Sequence, residues 1–219
     1  MSHNWSQSTH SAGSNPYITR AYENKSVEDT RDLYDEWALN YDKDLAADEY
    51  AAPRLAAKEV LSAMGKDRMP NAVFLDAGCG TGLVGKLLAR DGALTIDGVD
   101  LSPGMLDVAR KTGVYRDLRE ADLSQAMEQR DESYDVVACV GTLTRAHVGP
   151  SVLGEFGRIV KKDGFIVATI LDDIWESGGY KAEVDHLVEG GKVEIVHVNT
   201  VGYRVSSDVG AKMLLVKKL

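Results

Sequence analysis

The sequence feature that most constrains the fold is an apolar strand that runs into a glycine-rich loop and then into a helix. Residues 73–82 read VFLDAGCGTG, and the residues that follow, Leu83–Arg90, have a helical pattern. Glycines let the backbone bend sharply and approach a ligand closely, and the free amides at a helix N-terminus attract an anionic group. This combination predicts a nucleotide-type cofactor site at the start of a doubly wound α/β sheet.

Two classes of cofactor fit this loop. Residues 80–85 read GTGLVG and satisfy the dinucleotide pattern G-x-G-x-x-G, and Asp100 follows at about the 20-residue distance expected of a ribose-binding acid. Asp76 favours the other class, because a carboxylate beside the loop would repel a pyrophosphate but attract the sulfonium and ammonium groups of S-adenosylmethionine (SAM). We therefore predict SAM as the cofactor. The alternative for Asp76 is a helix-cap or turn role.

The motif residues carry a resemblance to a known family. Residues 76–82 (DAGCGTG) and 99–106 (VDLSPGML) resemble the class I SAM-dependent methyltransferases, and the similarity extends from about residue 34 to the C-terminus. Further runs resemble the Williams–Beuren-region methyltransferase-like protein family: YDEW at 34–37, YD at 41–42, APRL at 52–55 and GLV at 82–84. The resemblance implies a SAM-dependent methyltransferase with a Rossmann-like class I α/β sheet, and it brings no settled methyl acceptor.

The alternation of strand and helix patterns supports the same fold. The predicted strands lie at 72–76, 95–100, 115–120, 134–140 and 165–170. The predicted helices between them lie at 83–90, 103–111 and 151–160. Such alternation favours a mostly parallel sheet. After residue 171 the pattern predicts a helix at 179–189 and two extended strands at 192–203 and 212–217, which form a hairpin on the sheet edge. The resemblance to the class I methyltransferases implies that the last strand is antiparallel.

Length and composition predict the domain organisation. The chain has 219 residues, 44% of them hydrophobic, which suits one core. The N-terminal stretch is rich in Ser, His and Asn, so we predict a disordered tail at 1–25 and a single methyltransferase domain at 26–219. Within that domain, we predict an N-terminal helical cap at 26–66 and a SAM-binding α/β core at 67–219.

The predicted cap has two helices, at 27–39 and 53–64, on either side of an aromatic and acidic linker at 41–44. We interpret this linker as a hinge and expect the cap, about residues 27–64, to become ordered when the cofactor binds.

Charge, cysteine content and hydropathy limit the other functions. The net charge is −9, so the surface as a whole does not favour nucleic acid. Cys79 and Cys139 form no C-x-x-C pair, which favours a reduced compartment. No apolar run approaches the ~20 residues of a membrane span. We predict a cytoplasmic monomer that acts on a small molecule, with no metal site, no membrane partner and no nucleic-acid partner.

Five residues are predicted to bind the adenosine part of SAM. Asp100 ends a strand, where one carboxylate can accept both ribose hydroxyls; its alternative role is to cap the following helix. Leu101 and Met105 either contact the adenine ring or belong to the core. By resemblance, Asp122 accepts from the adenine amine and the Leu123 amide donates to a ring nitrogen. The alternative for Asp122 is a solvated loop position.

The other predicted site residues surround the methionine part of SAM and its methyl group. Gly78 and Gly80 allow close approach of the loop, in which Cys79 is a small residue rather than a nucleophile. Tyr41 either covers the sulfonium through a cation–π contact or packs the cap against the domain. The segment that begins at Val140 borders the transferred methyl group.

His147, in that segment, is the one catalytic candidate, as a general base near neutral pH; the alternative is an ordinary loop histidine. No further catalytic residue is predicted, because methyl transfer to a good nucleophile needs only alignment and desolvation. The sequence thus predicts a SAM-dependent methyltransferase. Two rivals stay open: a SAM- or nucleotide-binding protein that acts through a partner, and an NAD-dependent oxidoreductase.

Overall fold

The computed structural model describes residues 15–23, 26–145 and 147–219, and it begins with a helix inside the predicted tail. Helix α1 (Pro16–Glu23) buries Ile18 and Ala21, which lie three residues apart on one helix face. The prediction of a disordered tail up to residue 25 is therefore wrong for this helix. The rest of the predicted tail, at 1–14 and 24–25, lies outside the described residues.

Within the described residues, seven strands form one mixed sheet in the order β3-β2-β1-β4-β5-β7-β6. The strands are β1 (Val73–Ala77), β2 (Thr95–Asp100), β3 (Asp117–Glu120), β4 (Tyr134–Leu143), β5 (Val160–Leu171), β6 (Val193–Arg204) and β7 (Val209–Lys218). Strands β1 to β5 pair in parallel, whereas β7 runs antiparallel to both β5 and β6. The predicted sheet, mostly parallel with an antiparallel C-terminal strand, is confirmed.

Helices precede and connect the strands. They are α2 (Val27–Trp37), α3 (Tyr41–Ala47), α4 (Ala52–Met64), α5 (Leu83–Arg90), α6 (Pro103–Arg110), α7 (Val152–Ile159) and α8 (Tyr180–Glu189). Helices α2 and α6 begin at serine caps: Ser26 accepts from the Asp29 amide and Ser102 from the Met105 amide. None of the helices in the described ranges has both the length and the hydropathy that a membrane crossing requires.

The side chains of the sheet pack into two apolar layers, one on each face. Successive residues of a strand point to opposite faces, so Leu75 and Ala77 of β1 belong to one layer and Phe74 to the other. The layer of Leu75 includes α7 and α8, and the layer of Phe74 includes α4 and α5.

Helix α4 belongs to the core and not to a movable cap. Ala56 and Val60 are fully buried in the same layer as Phe74. Because this apolar burial fixes α4 to the sheet, the cap predicted at 26–66 is too wide.

Helices α1, α2 and α3 form a separate layer, which we call the lid. Trp37 lies at its centre, with ring centroids 5.2 Å from Tyr17 and 4.7 Å from Tyr41. The Trp37 indole nitrogen also donates to Asp44 at 2.8 Å. The linker predicted at 41–44 is instead the first turn of α3, because these contacts with Trp37 hold the segment in a helix.

Candidate active site

A cavity of about 450 Å³ lies between the lid and the carboxyl ends of β3, β2, β1 and β4. Open α/β sheets bind ligands at this edge, and small-molecule sites have volumes of about 300–1,000 Å³. The predicted site residues that line the cavity are Tyr41, Gly78, Gly80, Asp100, Leu101, Met105, Asp122, Leu123, Val140 and His147. The structure therefore brings most of the predicted site together.

The glycine-rich loop between β1 and α5 contributes one wall of the cavity. Gly78 has a φ of +74° and Gly80 a φ of +52°, in the left-handed region that favours glycine. The amides of Gly78 and Cys79 donate to the Val99 carbonyl at 2.8 and 2.9 Å, which ties the loop to β2. A β-carbon on Gly78 would clash with the side chain of Thr142. Glycine is thus required for the loop to fit between β2 and β4.

Asp100 lies at the end of β2 with its carboxylate at the cavity. Its Oδ2 accepts from the Gly80 amide at 2.7 Å, and its Oδ1 accepts from the Ser102 amide at 2.9 Å. Burial raises the pKa of Asp100 above its ordinary value. Helix α6 is capped by Ser102, so the cap role that was the alternative for Asp100 belongs to its neighbour. A carboxylate has about four lone-pair sites, so Asp100 keeps capacity to accept from ribose hydroxyls as well.

Asp76 does not line the cavity, contrary to the sequence prediction. It is 1% exposed, and its Oδ2 accepts from the Gly85 amide at 3.1 Å and from the Tyr115 hydroxyl at 2.7 Å. Burial raises the pKa of Asp76 to about 7, because the charged carboxylate loses its water. Asp76 therefore fastens α5 to β1, as in the helix-cap alternative, and the charge argument that favoured SAM does not apply to it.

Cys79 also lies outside the cavity. Its side chain is buried, and its sulfur lies against Gly98 of β2. Burial raises the pKa of the thiol well above its ordinary value, so the sulfur stays protonated. The structure agrees with a small packing residue, and the side chain of Cys79, which is among the predicted cofactor-binding residues, does not line the cavity.

Two acids of the lid contact the loops around the cavity. Asp42 of α3 accepts from the Thr81 hydroxyl and pairs with Lys86 at 3.2 Å. Asp35 of α2 accepts from the Gly104 amide at 2.7 Å. Sequence reasoning missed both acids, because each meets a partner that is distant in the sequence.

Sequence reasoning also missed the residues of α2 that line the cavity. Val27, Thr30 and Tyr34 lie along one side of this helix and face the cavity. Their spacing of three and four residues is that of one helix face, so the helical pattern at 27–39 contained a usable signal. Gly141, in the segment that begins at Val140, also lines the cavity.

His147 lies beside Tyr34 at the β4 end of the cavity. The Tyr34 hydroxyl is 3.0 Å from Nε2, and the two ring centroids are 5.7 Å apart. On the other side of the ring, Nδ1 is 2.5 Å from the Arg145 carbonyl oxygen and 2.9 Å from Thr144 Oγ1. Burial lowers the pKa of His147 below its ordinary value of 6.5, so the ring is neutral at pH 7.

The groups that line the cavity fit SAM in type and in order. Across the sheet they are the loop after β3 with Asp122 and Leu123, then Asp100 after β2, the glycine loop after β1, and the end of β4. This order suits an adenine, a ribose, an amino-acid part and a reacting group in a row. The lining residues within the described ranges include no Lys or Arg, so the cavity favours a cation over a pyrophosphate.

Several known proteins similar to this chain are methyltransferases. Residues 75–168 match a family described as Methyltransferase domain. Human methyltransferase-like protein 27 is 34% identical over 166 residues, which cover 74% of this chain and 67% of the human protein. The ubiquinone biosynthesis O-methyltransferase of Hahella chejuensis is 34% identical over 97 residues, which cover 42% of this chain and 40% of that enzyme.

A solved structure with a similar fold is the magnesium protoporphyrin IX methyltransferase from Synechocystis with bound SAM. It has a TM-score of 0.63 and 16% sequence identity, and the match covers 100% of this chain and 99% of that one. The fold and the family match together define a class I SAM-dependent methyltransferase, as predicted. The chain belongs to the methyltransferase-like family that includes human methyltransferase-like protein 27.

Proposed function

We propose that this enzyme transfers the methyl group of SAM to a small-molecule acceptor that binds at the β4 end of the cavity. The observation that carries the proposal is the order of groups along the sheet edge, which leaves the space around Tyr34 and His147 beyond the cofactor residues. When bound there, SAM supplies an electrophilic methyl group on a sulfonium. The lid covers this space and excludes water from the reacting atoms.

The cofactor roles follow from the same order. Asp100 accepts from the ribose hydroxyls, Asp122 accepts from the adenine amine, and the Leu123 amide donates to the adenine ring. Leu101 and Met105 contact the ring through apolar atoms. These assignments are supported by the shared cavity, in which all five residues lie.

The methionine part of SAM lies against Gly78 and Gly80 in this proposal, with Tyr41 over the sulfonium. Tyr41 lines the cavity from the lid, and its ring also packs against Trp37 at 4.7 Å. A cation–π contact and packing of the lid are therefore compatible roles for one side chain.

A small-molecule acceptor is supported by the size of the cavity, about 450 Å³, and by the similarity to the ubiquinone biosynthesis O-methyltransferases, whose name describes methylation at oxygen. That similarity spans less than half of this chain and of the Hahella enzyme. The net charge of −9 gives no support to a nucleic-acid acceptor.

Turnover of SAM to S-adenosylhomocysteine in the presence of a metabolite extract tests the proposal. We expect product that scales with enzyme and with extract, and loss of this turnover in Asp100→Ala. Equal product with extract that has been filtered to keep only macromolecules would contradict a small-molecule acceptor. A folded enzyme that binds SAM without any turnover would favour the rival role of binding through a partner.

A further inference from the structure

The two ring nitrogens of His147 have different hydrogen-bond partners. The Arg145 carbonyl, 2.5 Å from Nδ1, can only accept, so Nδ1 carries the proton of the neutral ring. Nε2 then holds the lone pair, and it accepts from the Tyr34 hydroxyl at 3.0 Å. The arrangement keeps the basic nitrogen of His147 on the side where Tyr34 lines the cavity.

A phenol is the group that this structure holds against the basic nitrogen. The Tyr34 hydroxyl reaches Nε2 while the Tyr34 and Tyr41 rings contact each other, with centroids 6.2 Å apart. In this structure the position at Nε2 is thus occupied by an aromatic hydroxyl whose ring lies against another aromatic ring. Aromatic rings pack well in such edge and tilted arrangements.

We propose that the acceptor is an aromatic hydroxyl and that His147 is the general base that removes its proton. This inference rests on the proposed function. The acceptor hydroxyl takes the position of the Tyr34 hydroxyl at Nε2 and gives its proton to that nitrogen. The acceptor oxygen bonds to the methyl carbon while the carbon–sulfur bond breaks, and its electron pair stays on sulfur. The proton then leaves Nε2 to solvent.

A phenol is chemically matched to this base. A phenolic hydroxyl has a pKa of about 10, as in tyrosine, so a neutral imidazole assists its ionisation in the transition state. An imidazole is a poorer match to an aliphatic alcohol, which is a far weaker acid. A thiol ionises more readily and gains less from a base.

The titratable groups around His147 do not protonate its ring, so the proton that it takes up comes from the acceptor. Tyr34 contacts His147 from the lid and Tyr41 contacts Tyr34, and burial raises the pKa of both phenols, which stay neutral. Arg145 is paired with Asp173 after β5. Tyr180 of α8 donates to the carbonyl of Val148, and Asp100 lies across the cavity.

The tautomer of His147 is the first test and needs no turnover. We expect nitrogen NMR of the histidine side chains to show a neutral ring at pH 7 with the proton on Nδ1. Addition of 4-nitrophenol together with S-adenosylhomocysteine should shift the Nε2 signal. A charged ring or a proton on Nε2 in the free enzyme would overturn the proposal.

Kinetics with a series of phenols of different acidity is the second test. The variant His147→Asn keeps a side-chain amide that can donate to the Arg145 carbonyl and removes Nε2. We expect kcat to fall about 100-fold or more, which is the usual contribution of a general base. The wild-type kcat should rise with pH through the pKa of His147 and then level off. The variant should lack this rise of kcat with pH, which we call the pH limb, and its rate should depend more strongly on the acidity of the phenol.

Two further variants test whether His147, and not a neighbouring group, is the base. Tyr34→Phe removes the hydroxyl that occupies Nε2 and should keep the pH limb; loss of the limb in this variant would make Tyr34 the base and overturn the proposal. His186→Asn changes an exposed histidine of α8 and should match the wild type.

The failure of this inference differs from the failure of the proposed function. Calorimetry that detects no binding of SAM would contradict the function itself. Methylation of amines or thiols, with every phenol inactive, would overturn only the acceptor class. A raised KM with an unchanged pH profile in His147→Asn would show that His147 only fastens the lid, and would overturn its role as a base.

Discussion

At the scale of single residues, Asp100 has two roles that one substitution can test. It holds the glycine loop through the Gly80 amide at 2.7 Å, and we assign its remaining lone pairs to the ribose of SAM. We expect Asp100→Ala to weaken the binding of S-adenosylhomocysteine at least about tenfold, because hydrogen bonds to charged groups contribute roughly 1.5–3 kcal/mol each. Isothermal calorimetry measures this loss.

The matched control for this substitution is Asp107→Ala, which removes an exposed carboxylate from the neighbouring helix α6. It should leave the affinity unchanged. Unchanged affinity in a folded Asp100→Ala enzyme would assign the ribose to another acid.

Asp76 predicts a pH dependence of stability. Its pKa of about 7 in the folded state lies above its ordinary value of 3.8, so folding strengthens proton binding. The stabilising contribution of the protonated form is complete below about pH 4 and is lost as the pH rises through about 7. The wild-type protein should therefore lose unfolding free energy as the pH rises from about 4 to about 8. We expect this loss to be smaller in Asp76→Asn by roughly 2–4 kcal/mol.

Urea unfolding at several pH values between 4 and 8 measures this effect. The charge of Asp100 also raises the pKa of Asp76, and the raised pKa of Asp100 itself adds a dependence of the same sign that the variant keeps. Asp107→Asn, which changes an exposed acid, should keep the wild-type profile. If Asp76→Asn also keeps it, Asp76 is charged in the folded protein without a penalty.

The side chains of the site differ in how far sequence could predict them. Asp100 and Asp122 follow strands whose ends are visible in the hydrophobic pattern, and both line the cavity. Asp76 also ends a strand, but alternation along a strand does not say which face borders the ligand. Its carboxylate points into the layer of α5 and Tyr115. The contact of His147 with Tyr34 joins residues 113 positions apart, and no local pattern predicts it.

At the scale of secondary-structure elements, the lid is the part whose motion is expected to control access to the cavity. Two of its attachments are exposed ion pairs: the Asp42–Lys86 and Arg31–Glu120 pairs are about 40–45% exposed on both sides, and such pairs contribute little. We expect hydrogen exchange in α2 and α3 to slow when S-adenosylhomocysteine binds, because the ligand adds contacts that only the closed lid makes.

Helix α4 is the internal control for the lid. It lies in the sequence range of the predicted cap, yet its fully buried residues Ala56 and Val60 join the core. Its amides should be protected with and without ligand. Full protection of α2 and α3 in the free enzyme, or no slowing on binding, would contradict a closing lid and leave Tyr41 as a packing residue.

The elements that sequence predicts best are those with strong apolar patterns. Apart from β5, which begins five residues before its predicted start, the strands and helices of the core agree with prediction to within three residues at each end, because each buries a regular face. Helices α1 and α3 were missed because they are short and polar. Their stability comes from Trp37, which stacks on Tyr17 of α1 and bonds to Asp44 of α3. Tertiary contacts of this kind override local preference.

At the scale of the whole molecule, the C-terminal hairpin and the charge of the cavity both separate this protein from a dinucleotide-binding enzyme. Strand β7 lies between β5 and β6 and runs antiparallel to both, so the last strand is antiparallel as the family resemblance implied. The lining residues within the described ranges include the acids Asp100 and Asp122 and no Lys or Arg. The fold and the site thus support the same cofactor by independent routes.

This charge pattern predicts the selectivity of the cofactor site. We expect calorimetry to show SAM and S-adenosylhomocysteine binding with dissociation constants in the micromolar range, and no binding of NAD. A pyrophosphate would lie near two carboxylates without a cation to pair with, whereas the sulfonium and ammonium groups of SAM would be attracted.

At a ligand concentration 100 times the dissociation constant, S-adenosylhomocysteine should stabilise the fold by about 2.7 kcal/mol, visible as a raised Tm. Adenosine alone serves as the control for the ribose and adenine contacts and should bind more weakly. Tight binding of NAD without binding of SAM would contradict this assignment of the cavity.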